Sequence, residues 1–178
     1  MESRAKLFGH AIHPILIVFP LGLLATAVVF DIVRILTVNP SFAAVSYWMI
    51  VGGLIGGVLA APFGLYDWLA IPSSSRAWGV GLAHGLTMVV TLLLFFGSWW
   101  LRPYPSYEPS SAALGLSFAG VATALFGGWL GGELVERLGV GVDDGANLNA
   151  PNSLTGTSAT AGVPAPTMEG SSGRYERR

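Results

Sequence analysis

The sequence predicts an all-α polytopic membrane protein: a four-transmembrane-helix bundle followed by a disordered C-terminal tail. Three observations carry that prediction. Of 178 residues, 52% are hydrophobic and only 11% charged, whereas soluble domains carry about 25% charged residues. Mean hydropathy is +0.61. Four apolar stretches each reach the roughly 20 residues that a bilayer-spanning helix needs. From residue 143 onward the chain turns to Gly, Ser, Thr, Ala, Pro and Asn, which bury too little apolar surface to offset the entropy of ordering.

The first span is expected over 14–36, with no charge from Pro14 to Phe30. The second, 42–69, is uncharged until Asp67. The third, 78–101, holds His84 as its one ionisable group, and the fourth, 112–138, is uncharged until Glu133. Helices are the natural form, because a lipid-exposed backbone must satisfy its own hydrogen bonds, and none of the stretches shows the strict alternation of barrel strands. The connections, 37–41, 70–77 and 102–111, are short and contain Pro or Ser, so neighbouring helices run antiparallel. Trp48, Trp68, Trp78, Trp99, Trp100 and Tyr104 lie near span ends, where aromatic rings favour the membrane–water interface. Residues 1–142 thus make one membrane domain and 143–178 the tail.

Arg4 and Lys6, an apolar run and then Ala25-Thr26-Ala27 imitate a cleavable signal peptide. The apolar run continues past Ala27 to Phe30, which favours a retained span. With four spans, both termini share a side with the second connection. That side carries Arg4, Lys6, Arg76 and Arg137, the other Arg34 and Arg102, so an N-in, C-in orientation is expected.

The second span contains Gly52-Gly53-Leu54-Ile55-Gly56-Gly57 and the fourth Gly127-Gly128-Trp129-Leu130-Gly131-Gly132. Such small-residue faces allow close helix approach, either inside the bundle or in a homodimer. Each odd span also has a histidine near its start and each even span a double-glycine pattern, a hint of two parallel repeated hairpins that pairs Gly52 with Gly127.

The ionisable residues gather at one end of such a bundle: His10 and His13 before the first span, Asp67 at the end of the second, His84 about two turns into the third and Glu133 near the end of the fourth. Ionisable groups in membranes are costly and face an interior or a cavity. His84 reads as a histidine hydrogen-bonded to a neighbouring helix, as a haem or metal ligand, or as a proton relay; Gly81 and Gly85 beside it leave room for a flat group or a close helix. His13 precedes Pro14 and reads as a helix cap, or with His10 as a ligand pair, since imidazole suits Zn, Cu, Fe and Ni. Asp67 reads as a partner of Arg76 or as the carboxylate that fixes a histidine tautomer, with Pro62 bending its helix. Glu133 and Arg137 form an i,i+4 pair, and Asp31 and Arg34 an i,i+3 structural pair at the other face.

Cysteine is absent, which removes disulfides, thiolate metal sites, iron–sulfur clusters and c-type haem attachment. A net charge of −1 without a basic patch gives no case for nucleic acid. No nucleophile elbow, phosphate loop, metalloprotease helix or kinase signature occurs.

Gly9-His10, His13-Pro14, Phe19-Pro20, Asp31, Ala60-Ala61, Gly64, Asp67-Trp68, His84, Gly131-Gly132, Leu134-Val135 and Gly139-Val140-Gly141-Val142 together resemble the bacterial membrane proteins of domain of unknown function 2231. The resemblance covers about 9–142. It implies a compact four-helix membrane domain without an assigned activity, whose relatives occur beside Rieske or cytochrome modules. Ala11, Met88 and Glu136 stand where that family has proline, asparagine and tyrosine.

The leading expectation is therefore a membrane domain, more accessory than enzymatic, that holds haem b or a divalent metal through His13 and His84, with His10 as substitute and Asp67 and Glu133 as further metal ligands. The rivals are a cofactor-free accessory subunit, a homodimer or part of a larger membrane (electron-transfer) complex, and a small transporter or proton-coupled channel.

Overall fold

A computed structural model describes residues 1–161. Its first elements are two-residue strands, β1 (Lys6–Leu7) and β2 (His10–Ala11), paired antiparallel. Phe8 and Gly9 between them have φ of 51° and 83°, the left-handed pair that a tight two-residue hairpin turn demands. A methyl group on Gly9 would also strike Ser153 at 2.7 Å.

The helices follow as α1 (Ile12–Leu16), α2 (Val18–Thr37), α3 (Ser41–Trp68), α4 (Arg76–Trp100) and α5 (Ser111–Gly132), and a π-helical turn, Glu133–Arg137, extends α5. α1 and α2 together make the first span. Their break at Ile17 reflects Pro20, which cannot donate to the Leu16 carbonyl. Helical bonds still cross it, from Ile17 N to His13 O and from Leu21 N to Ile17 O, both 3.1 Å. The four spans match the sequence expectation to within two residues at nearly every end, and the chain is a polytopic four-helix membrane protein.

The caps are local. Ser75 and Ser110 accept from the backbone of Trp78 and Ala113 and start α4 and α5. Helix α1 begins at Ile12, one residue before His13, and has no side-chain cap. The expected capping role of His13 is thus replaced, because its ring turns sideways onto α3. Pro14 still lies in the first turn, where a missing N–H costs nothing. Helix α3 runs on through Pro62.

Leu24, Ala27, Val28, Ile50 and Phe95 form the buried centre of the bundle. Large apolar side chains such as Val29, Ile32, Leu59, Leu93 and Leu125 point outward and stay exposed, as a lipid-facing belt must.

The first helical hairpin, α1–α3, and the second, α4–α5, share a register of contacts, and each is called a repeat below. His84, Phe95 and Arg102 each follow His13, Leu24 and Asp31 by 71 residues, while Gly120, Gly127 and Gly131 follow Gly53, Ala60 and Gly64 by 67. Equivalent positions make equivalent contacts. A methyl on Gly53 would meet Leu24 at 2.5 Å, and one on Gly120 would meet Phe95 at 2.8 Å. The glycine register drawn from sequence is corrected here: Gly127 is the counterpart of Ala60, not of Gly52. Glycines 52, 53, 56 and 57 all face side chains of α2 or α4, so the first small-residue run serves packing within the bundle.

Residues 143–161, assigned by sequence to the disordered tail, follow turns and one 3-10 turn, Ser153–Thr155. They return to the N-terminal segment: Ser153 Oγ donates to Phe8 O at 3.2 Å, and Asp144 N donates to Glu2 at 3.1 Å. Residues 162–178, the rest of that tail, lie outside the described residues.

Candidate functional site

Two pairs of polar side chains meet near the bundle axis, one at each end. His13 and His84 form the first. Their ring centroids are 6.4 Å apart and their planes nearly perpendicular, at 88°. Each ring leans on the even helix of its own hairpin. His13 Nδ1 lies 3.1 Å from Ala60 O on α3, and His84 Nδ1 lies 2.9 Å from Gly127 O on α5. A carbonyl only accepts, so Nδ1 carries the proton and, in the neutral ring, Nε2 keeps the lone pair.

The fit depends on a glycine one turn after each carbonyl. A methyl on Gly64 would come 2.8 Å from His13 Cε1, and one on Gly131 would come 3.3 Å from His84 Cε1. Each ring therefore sets its Nδ1–Cε1 edge close against helix backbone. Of the two glycines beside His84, Gly81 is filled by Trp68, while Gly85 opens onto free space. Trp68 also stacks on Trp78 and donates to its carbonyl at 3.0 Å, closing the α3–α4 connection above the histidines.

The other residues of the predicted constellation lie at this end but bond elsewhere. Asp67 holds the N-terminal segment: Ser3 Oγ donates to it at 2.7 Å, Arg4 N at 2.8 Å and Ala5 N at 3.3 Å. It pairs with neither Arg76 nor a histidine. Arg76 instead reaches Glu133 at 2.7 Å, and this replaces the expected Glu133–Arg137 pair. The π-helical turn supplies the reason, since its i→i−5 bond from Leu138 N to Glu133 O alters the helical spacing. His10 is exposed on β2 and 3.4 Å from Ser153 Oγ, in a recess of about 340 Å³ that Asp143, Asn147 and Asn152 also line. Among the described residues no three His, Cys, Asp or Glu side chains gather around a common centre.

Sequence reasoning missed the second pair. Asp31 and Arg102 form a two-pronged ion pair, at 2.7 and 2.8 Å, with both side chains 0% exposed. Arg102 also donates to Ser46, Ser98 and Ser117 at 3.1–3.2 Å, and Ser98 and Ser117 share a 2.7 Å bond. The expected Asp31–Arg34 pair does not form, because Arg34 turns to Glu108 at 3.1 Å. Two signals in the sequence pointed here. His13 to Asp31 and His84 to Arg102 are equal steps of 18 residues, which is five turns of helix and about 27 Å. Ser46, Ser98 and Ser117 are also polar interruptions of otherwise apolar spans.

The family model described as "Predicted membrane protein (DUF2231)" matches residues 9–144. The chain belongs to that family, as the sequence resemblance implied. No curated protein and no solved structure matches it.

Proposed function

We propose that this DUF2231 membrane protein binds one metal centre between His13 and His84, near one face of the bilayer, and serves an electron-transfer assembly. The observation that carries this reading is the shared geometry of the two rings: each Nδ1 is committed to a backbone carbonyl, which leaves each Nε2 as a ligand. Metal-binding histidines are typically oriented in this way by a partner on the other ring nitrogen.

The donor set narrows the centre. Structural zinc takes four protein ligands and catalytic zinc three, whereas the described residues offer two neutral imidazoles. Asp67 and Glu133 are engaged by the N-terminal segment and by Arg76. Haem b would supply the remaining donors from its own macrocycle, with His13 and His84 as the residues that would hold it. An ion that accepts two opposed ligands fits also. With nitrogens about 2 Å from the ion, opposed imidazoles have centroids roughly 6 Å apart, and a tetrahedral angle brings them to about 5 Å. The 6.4 Å centroid separation is close to what two imidazoles sharing one ion would show.

The test is an absorption spectrum of detergent-purified protein, oxidised and reduced, with metal analysis of the same sample. A haem band or a metal-to-protein ratio near one is expected. It should vanish in His13→Ala and His84→Ala and persist in His10→Ala. Colourless, metal-free protein from cells supplied with iron and haem overturns the proposal.

A second reading, an accessory subunit without cofactor, is favoured by one observation. Gly128 and Gly132 on α5 have nothing within 4 Å, and exposed Phe126 and Trp129 lie beside them. Under that reading Gly128→Leu disperses a native assembly without unfolding the chain. Orientation belongs with these proposals. Arg102 is buried in its ion pair, which leaves Arg34 as the basic residue nearer the surface at that end and supports the N-in, C-in arrangement.

A further inference from the structure

Asp31 and Arg102 occupy the same position in the two repeats, 71 residues apart, and so do His13 and His84. A residue that touches its own counterpart lies near the axis relating the repeats. Two such contacts therefore define that axis at both ends, five helical turns apart. Eighteen residues at 3.6 per turn bring the chain back to the same face. In the first and third spans the charged residue, Asp31 on α2 and Arg102 two residues past the end of α4, thus lies on the same side as the histidine, toward the axis.

The surroundings of the ion pair differ between the repeats. Ser98 and Ser117 correspond to Ala27 and Ile50, and Ser46 corresponds to Ala113. All of these are fully buried. The hydroxyls surround the guanidinium, so the arginine is held from α3, α4 and α5 as well as by Asp31 on α2. An arginine fork binding both carboxylate oxygens fixes orientation as well as distance. Between the two ends the odd helices contribute Leu24 and Phe95, each seated in a glycine notch of its own hairpin. Those apolar contacts set each hairpin internally and give no charge signal for how one hairpin sits along the other.

We propose that the Asp31–Arg102 pair is the register clamp between the repeats, and so the positioning element for the histidine pair at the opposite end. The proposal rests on the His13–His84 reading for its functional meaning, but its test does not need a bound metal. The chain has no cysteine, so His13→Cys with His84→Cys places two thiols in the full-length protein. A short bis-maleimide then reads their proximity, as intact mass with one bridging reagent rather than two separate adducts. In that background Arg102→Lys keeps the charge and loses the fork, and Asp31→Arg with Arg102→Asp exchanges the partners.

Bridging is expected to be near complete in the background, to fall at least threefold in Arg102→Lys that elutes as the same folded species, and to recover in the exchanged pair. Parental bridging in folded Arg102→Lys overturns the clamp, as does an exchanged pair that folds without recovering it. Should Arg102→Lys not fold, Ser117→Ala, which removes one Arg102 contact, replaces it: reduced bridging supports the clamp and unchanged bridging overturns it. Normal bridging behaviour with no bound metal in the unmodified protein would leave the clamp standing and remove the metal reading, so the two fail separately.

Discussion

Asp31 and Arg102 meet at one end of the bundle axis, His13 and His84 at the other, and the two pairs use their polar atoms differently. At the ion-pair end both carboxylate oxygens and both terminal guanidinium nitrogens have partners, and three serines complete the shell. Among the described residues the buried polar atoms left without a partner are Arg102 Nε and, nearby, Trp99 Nε1. At the histidine end each ring has one nitrogen fixed by a carbonyl and one left over. Equivalent positions of a duplicated hairpin have thus been given opposite tasks. Complementary charges pair at one end, while two histidines face each other at the other.

The sharpest way to break this contrast is to remove one charge. Leaving a single buried ion uncompensated costs about 3–5 kcal/mol. Asp31→Ala or Arg102→Ala should therefore give protein that aggregates on detergent extraction, seen by size-exclusion chromatography. His84→Ala removes one neutral hydrogen bond, worth about 1 kcal/mol, and should elute like the parent. Equal damage from both would erase the distinction between the ends.

Comparison of the two histidines sharpens it further. Gly64→Ala would place a methyl 2.8 Å from His13, whereas Gly131→Ala would place one 3.3 Å from His84. Forced overpacking costs about 1–3 kcal/mol, so Gly64→Ala should lower the thermal midpoint more than Gly131→Ala and displace the His13 ring. Thermal unfolding in detergent of the two variants checks the order.

The smallest effect concerns the N-terminal segment that lies over the histidine end. Asp67→Asn weakens charge-assisted bonds to Ser3, Arg4 and Ala5 and should speed amide exchange over 1–11 while α2–α5 are unchanged. The exposed ions around it add a shallow pH dependence. Hydrogen bonds to Asp143 and then Glu2 raise the pKa of Lys6 above its ordinary 10.5, so its contribution is complete below that pH and is lost as pH rises further. The bond from Lys6 lowers the pKa of Glu2 below its ordinary 4.5, so its contribution is present above that pH and is lost as pH falls. Protection factors over 1–11, with the intrinsic pH dependence of exchange divided out, should be even between those limits and smaller outside them. Exposed pairs of this kind contribute little, so the change is confined to that segment.

The spans were legible because hydropathy and helix length are set locally by lipid, and the histidines because an ionisable group in an apolar run is conspicuous. Asp31 and Arg102 were equally visible as residues, yet each had a plausible neighbour or lay at a span end. Arg34 is three residues from Asp31 and competes for it on paper. Burial decides the matter, since Arg34 can reach Glu108 near the surface while Arg102 is enclosed with Asp31. Asp67 was misassigned for a related reason. Two of its three partners are backbone N–H groups, of residues 4 and 5, and a backbone donor carries no mark in the sequence. The β1–β2 turn is too short to show a period, and the π-helical turn that redirects Glu133 has no local signature.

The most direct measurement of the central claim is the optical spectrum and metal content of the purified protein beside His13→Ala, His84→Ala and His10→Ala. One bound centre per chain, lost without either His13 or His84 and retained without His10, is the result predicted. Folded wild-type protein with neither haem nor metal, or a centre indifferent to His13 and His84, contradicts it.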